Sequence, residues 1–91
     1  MTQAQLPVTK VNVEYYGILR EVCGRHADEV KFDQRSEVTV AEVLSHLVAR
    51  YPGLGPHRPY IACALDAELC ADGSVLHDGA TLALLPPVSG G

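Results

Sequence analysis

The residues of this sequence best suited to chemistry stand at its end, Pro86-Pro87-Val88-Ser89-Gly90-Gly91. The two prolines lack the N–H groups that continue a hydrogen-bond ladder, so they force the chain out of any sheet that precedes them. Six residues reach at most about 20 Å when extended, enough to carry a chain terminus into another protein's active site. The proline pair stiffens the base of that arm. Gly90 and Gly91 have no side chains, so a narrow channel admits them and lets the backbone approach a nucleotide or a catalytic residue closely. A carboxylate on Gly91 is a poor electrophile as it stands. Adenylation makes it reactive, and a sulfur nucleophile can then displace AMP and leave a thiocarboxylate at the chain end.

Other arrangements offer less. Cys23-x-x-His26 has no second ligand pair near it in sequence, so no metal site is expected. His46 and His57 read as a helix-face and a loop residue, with no Ser, Cys or carboxylate set beside them in a catalytic motif. Asp66, Glu68, Asp72 and Asp78 solvate loops and turns. No glycine-rich phosphate loop is present, so ATP is expected on an activating partner and no cofactor is expected to bind the chain permanently.

The body that must hold the tail is small. Ninety-one residues make one domain with a thin core and little room for a deep cavity. A hydrophobic content of 47% against 20% charged fits a packed globular domain. Net charge is −4, and the seven Lys and Arg are scattered from Lys10 to Arg58, which argues against a nucleic-acid partner. Such acidity suits solubility and, secondarily, a basic protein partner. Met1 to Pro7 has neither a basic nor an apolar leader segment, and no run approaches the roughly 20 apolar residues of a membrane span. No membrane association is expected. Three cysteines without a CxxC pair point to a reducing compartment, so a soluble cytoplasmic protein is expected, with Cys63 and Cys70 as small core residues.

Hydrophobic period then places the elements. Val11, Val13 and Tyr15 alternate with polar neighbours, predicting a strand from Val11 to Tyr16. Ile18, Leu19, Val22 and Cys23 fit a short helix between Gly17 and Gly24. Val30 and Phe32 mark a second strand, antiparallel to the first because the connection is too short for a crossover. Thr39 and Glu42 have capping-box spacing ahead of Val40, Val43, Leu44, Leu47, Val48 and Tyr51, whose offsets trace one helical face. Pro52-Gly53 ends that helix, and residues 55–59 read as loop. Tyr60 to Leu65 is apolar on both alternating sets and predicts a central strand covered on both faces. A short strand follows at Glu68 to Cys70, turns at Asp72-Gly73 and Asp78-Gly79, and a last strand from Thr81 to Leu85. The fold class is therefore α+β, a mixed four- to five-stranded sheet covered on one face by one main helix. Residues 1–9 form a flexible lead, 10–85 the domain and 86–91 the tail.

Element order, length and the Pro86-Pro87-Val88-Ser89-Gly90-Gly91 ending, with Tyr15-Tyr16, Leu19-Arg20-Glu21 and Asp78-Gly79, resemble the small, sulfur-carrying subunit of molybdopterin synthase. The resemblance runs from Lys10 to Gly91, and the Pro-Pro-Val-Ser-Gly-Gly ending is its most specific part. It implies a ubiquitin-like β-grasp fold and a carrier that is not itself catalytic. By this resemblance, a ubiquitin-activating-like adenylyltransferase adenylates Gly91 with ATP, and a sulfurtransferase converts it to a thiocarboxylate. The tail, including Pro86, Pro87, Val88, Ser89 and Gly90, then enters the large synthase subunit and gives sulfur to cyclic pyranopterin monophosphate, in a heterotetramer of two large and two small subunits. The positions matching the family's apolar partner-facing patch are Tyr16, Leu69 and Leu85. Asp66 departs from the Asn common after the central strand, and the lead is longer than in the shortest members. Related carriers send sulfur to thiamin thiazole or to cysteine, and others are protein modifiers or plain binding modules, so these roles stand as alternatives.

Overall fold

The computed structural model describes residues 7–87, so Val88, Ser89, Gly90 and Gly91 lie outside the described residues. Val11, Val13 and Tyr15, all fully buried, line the inner face of β1 (Val8–Tyr15). The strand starts three residues earlier than the alternation suggests, because Val8 and Thr9 pair with Asp33 and Phe32 of β2 (Ala27–Asp33). Thr9 Oγ1 also donates to the Arg35 carbonyl at 2.7 Å. Tyr16 falls just past the strand end. As expected, β1 and β2 are antiparallel, joined through α1 (Ile18–Cys23). Gly24 takes the left-handed conformation and donates to the Arg20 carbonyl at 2.8 Å, closing that short helix.

After β3 (Glu37–Thr39), α2 (Val40–Arg50) begins with the capping box read from the sequence: Thr39 accepts from the Glu42 N–H, and Glu42 accepts from the Thr39 N–H. Arg35 pairs with the same carboxylate, and these hydrogen bonds, that from Arg35 first, bring the Glu42 carboxyl down to about 2. Val40, Val43, Leu44 and Leu47 bury the apolar stripe of α2 in the core.

The remaining strands are β4 (Ala62–Leu65), β5 (Glu68–Cys70), β6 (Val75–His77) and β7 (Thr81–Leu85). The main sheet has the order β2-β1-β7-β4-β5, with β7 parallel to β1 and antiparallel to β4. This is the ubiquitin-like β-grasp arrangement. Two expectations are corrected. The middle strand is β7, not the Tyr60 to Leu65 segment, which is shorter and stands next to the edge strand β5. Its double apolarity has another cause: Cys63 faces the core, while Ala62 and Ala64 lie on the open face. Nor is the stretch after α2 plain loop. Pro52–Tyr60 winds as 3-10 turns, favoured by the fixed φ of its prolines and anchored by buried Leu54. Sequence periodicity missed the pairing of β3 with β6, three residues each, which are too short to show a period.

Asp66 and Ala67 both have positive φ, 48° and 72°, forming the two-residue connection between β4 and β5. Asp, like Asn, tolerates that conformation, so the departure from the family pattern at Asp66 keeps the turn.

One polar cluster sits in the core. The buried Asp28 carboxylate accepts from the hydroxyls of Tyr15 at 2.8 Å and Tyr51 at 2.6 Å, and Arg25 and Arg50 approach it at 3.1 and 3.7 Å. Burial alone raises its pKa, but the hydroxyls of Tyr51 and Tyr15 and the guanidinium groups of Arg50 and Arg25 outweigh that and hold it below the usual carboxylate value. A lowered folded-state pKa gives stability that is complete above the unfolded pKa of about 3.9 and is lost as pH falls through the folded value. Asp28→Asn is therefore expected to cost about 2–4 kcal/mol at neutral pH in urea unfolding, a difference that shrinks below about pH 4. A pH-independent cost would contradict this assignment.

Candidate functional site

The tail leaves from the end of the middle strand. The Tyr16 N–H donates to the Leu84 carbonyl at 3.2 Å, the last bond tying β7 to this side before Pro86 and Pro87. Gly17 follows with φ +57° and ψ −135°, a conformation that L side chains rarely adopt. A Cβ at Gly17 would stand 2.8 Å from Pro86 Cγ, so the backbone turn of residue 17 lies directly against the first proline ring.

Tyr16 is held at this exit. Its hydroxyl donates to Glu14 Oε1 at 3.0 Å, and that bond is the main cause pushing its phenol pKa up. The Arg20 guanidinium stands 5.2 Å from the ring centroid, while Arg20 Nε donates to the Tyr15 carbonyl at 2.8 Å. The aromatic ring is thus held in place by groups of this chain alone.

Strand register brings Leu69 and Leu85, two of the three patch positions that the resemblance implies, onto one side of the sheet, and Tyr16, just past the end of β1, is tied to the same side by its hydroxyl bond to Glu14. Leu69 pairs with Ala64, Ala64 with Ala83, and Ala83 with Glu14, while Leu85 pairs with Ala62. These residues alternate with the buried Cys63, Leu82 and Leu84, so they occupy the face that α2 does not cover. Leu69 is 78% exposed and Tyr16 36%, while Leu85 is half-buried. The sequence reading missed Ala62, Ala64 and Ala83, which make the floor of the patch. The signal was present: β4 and β7 are apolar on both alternating sets. On β1 and β2 the same face turns polar, with Lys10, Asn12, Glu14, Glu29 and Lys31. The apolar half of the open face therefore borders the tail.

Burial, the largest cause in each case, pushes all three thiols up, Cys63 to about 11, leaving little thiolate at neutral pH. Among the described residues no three His, Cys, Asp or Glu side chains gather around a common point that could hold a metal ion. A shallow recess of about 240 Å³, bordered by Leu65, Asp66, His77 and Asp78, lies at the other end of β7 from the tail. Asp78 there accepts from the Lys10 N–H at 2.8 Å, and Asp72 pairs with Arg58 at 3.0 Å, so these acids serve loops and turns.

Sheet order and the single main helix define a ubiquitin-like β-grasp protein, here with its tail leaving the central strand. The ThiS family matches residues 13–91, and the chain belongs to that family. It is 32% identical over 82 residues to the molybdopterin synthase sulfur carrier subunit of Mycobacterium tuberculosis, covering 90% of this chain and 98% of the relative. Among solved structures, SAMP1 of Haloferax volcanii superposes with a TM-score of 0.72 at 29% identity, covering 90% of this chain and 99% of that one. A second is the protein–protein complex of subunits 1 and 2 of molybdopterin-converting factor from Helicobacter pylori, with a TM-score of 0.63, 25% identity, and coverage of 91% of this chain and 100% of that chain.

Leu69 and Leu84 lie on opposite faces and separate surface from core. Leu84→Ala is expected to cost about 2–5 kcal/mol in unfolding free energy, whereas Leu69→Ala stays within about 0.5 kcal/mol of wild type. Comparable losses at both positions would contradict the assigned register.

Proposed function

We propose that the chain is the sulfur-carrier subunit for molybdopterin synthesis and that the Gly91 carboxylate is its working group. The observation that carries this reading is the exit of the tail from the central strand beside an uncovered apolar face. The family match that runs through Gly91 and the likeness to the M. tuberculosis carrier support it.

In this reading the chain supplies a substrate group and a docking surface. The Gly91 carboxylate oxygen attacks the α-phosphorus of ATP in an adenylyltransferase, and pyrophosphate leaves. A sulfur nucleophile delivered by a sulfurtransferase then attacks the acyl carbon, and AMP leaves with its carboxyl oxygen. The tail next enters the large synthase subunit, where the thiocarboxylate gives its sulfur to cyclic pyranopterin monophosphate and Gly91 returns to a carboxylate. Two such transfers build the dithiolene, in a complex of two large and two small subunits. Tyr16, Leu69 and Leu85 contact the large subunit through the patch, and Pro86 to Gly90 thread the tail.

The chain contributes no catalytic side chain and no permanently bound cofactor. The raised thiol pKa values support that division of labour. Its three cysteines are free thiols, and no helix among the described residues is long and apolar enough to cross a membrane. Work in the reducing cytoplasm suits the free thiols.

The likeness to SAMP1, a small archaeal modifier protein, favours a second reading, attachment of Gly91 to lysines of other proteins. That role predicts conjugates of higher mass on denaturing gels, which the carrier role does not.

The test is reconstituted synthesis with the large subunit and the thiocarboxylated chain. Deleting Gly91 is expected to abolish molybdopterin formation while changing the Kd for the large subunit by less than about tenfold. Leu69→Glu is expected to weaken that Kd by about tenfold or more, because it puts a charge into the apolar contact. Full activity without Gly91 would overturn the carrier reading.

A further inference from the structure

Five large hydrophobic side chains are exposed among the described residues: Tyr16, Ile18, Tyr60, Leu69 and Val75. Tyr16 and Leu69 belong to the patch on the open face, and Val75 borders the recess at the far end of β7. Ile18 and Tyr60 belong to neither, yet both stand at the tail-bearing end of the sheet, next to the ends of the two strands that flank β7. Ile18 is 45% exposed and follows Gly17, whose backbone touches the Pro86 ring. Tyr60, at 67%, comes two residues before Ala62, and Ala62 is the cross-strand partner of Leu85. Pro87 comes two residues after Leu85, so Tyr60 and Pro87 leave the last paired position of β4 and β7 toward the same end of the sheet.

We infer that Ile18 and Tyr60 form an apolar collar around the tail base, which seats against the mouth of the tail-accepting channel in the large synthase subunit. The inference rests on the carrier function proposed above and adds to it a second contact, separate from the open-face patch. Four residues, 88–91, follow Pro87. A partner that encloses them must bring the rim of its channel down to Pro87, and Ile18 and Tyr60 flank that level. An apolar rim has a chemical use there. A thiocarboxylate exposed to water loses its sulfur: water adds to the acyl carbon, the C–S bond breaks, a C–O bond forms, and sulfur leaves as hydrogen sulfide while Gly91 becomes a carboxylate. Closing the mouth with apolar side chains excludes that water until the acceptor takes the sulfur. It also gives binding energy where the tail has few side chains to offer.

The experiment compares the thiocarboxylated wild type, an Ile18→Ser/Tyr60→Ser double variant and a Leu69→Glu control. It measures the Kd for the large subunit by calorimetry and the loss of sulfur from the bound carrier, without acceptor, by intact mass. Both collar residues are exposed, so the double variant is expected to keep the wild-type melting temperature. Its Kd is expected to weaken by about tenfold or more. At saturating large subunit its bound thiocarboxylate is expected to hydrolyse several-fold faster than the wild type. The Leu69 variant, with its collar intact, is expected to show weaker binding without faster hydrolysis once saturated. Binding within about twofold of wild type and unchanged hydrolysis in the double variant would overturn the collar while leaving the carrier function standing. If the wild type itself does not bind the large subunit, the collar and the carrier reading fall together.

Discussion

Everything at the tail end depends on the enclosure of β7 between β1 and β4. Hydrogen bonds on both flanks and buried Leu82 and Leu84 on the inner face hold the last strand in the middle of the sheet. A strand so placed cannot fray without opening the core, and this rigidity reaches up to Leu85. Pro86 and Pro87 then end the ladder, because neither can donate to it. The change from the most enclosed segment of the chain to one outside the sheet takes place over two residues, which fixes the point and direction from which the tail starts. In the proposed role, where the terminus goes to successive partners, that fixed origin matters more than a pocket would.

The same logic explains why the polar cluster around Asp28 stands where it does. It joins the end of β1 through Tyr15, the start of β2 through Asp28 and the C-terminus of α2 through Tyr51. These are three of the elements converging on the tail-bearing end, and a 9.8 kDa domain has little hydrophobic core to spare for holding them. Hydrogen bonds from two tyrosines and the charge of two arginines keep the carboxylate ionised in place, and no buried side-chain polar atom among the described residues is left without a partner. Rigidity at this end serves the next layer out, where the Tyr16 ring is set between Arg20 and Glu14 and Gly17 meets Pro86.

Much of this was legible in the residues. The capping box at Thr39 and Glu42, the alternation of Val11, Val13 and Tyr15, and the stop at Gly24 each act through contacts within a few residues, so local pattern foretold them. Strand order was less accessible. The double apolarity of Tyr60 to Leu65 suggested the sheet centre, but it arises because β4 and β7 carry core on one side and the open patch on the other. An exposed apolar face and a buried one leave the same mark on a sequence. The pairing of β3 with β6 and the buried Asp28 depend on segments distant along the chain, which no local period encodes. The resemblance alone points to Tyr16, Leu69 and Leu85; register sets Leu69 and Leu85 on one face with the alanines between them, and the bond to Glu14 adds Tyr16. Ile18 and Tyr60 read locally as ordinary apolar helix and strand residues, and only the fold shows that both are exposed at the tail-bearing end of the sheet.

The central claim is that the reactive group of this protein is the Gly91 carboxylate. Intact mass spectrometry of the full chain after incubation with ATP, a cognate activating enzyme and a sulfur donor tests it most directly. The account predicts a gain equal to the replacement of one oxygen by one sulfur, confined to the C-terminal peptide. An unchanged mass, with an activating enzyme shown to work on its own carrier, would contradict it.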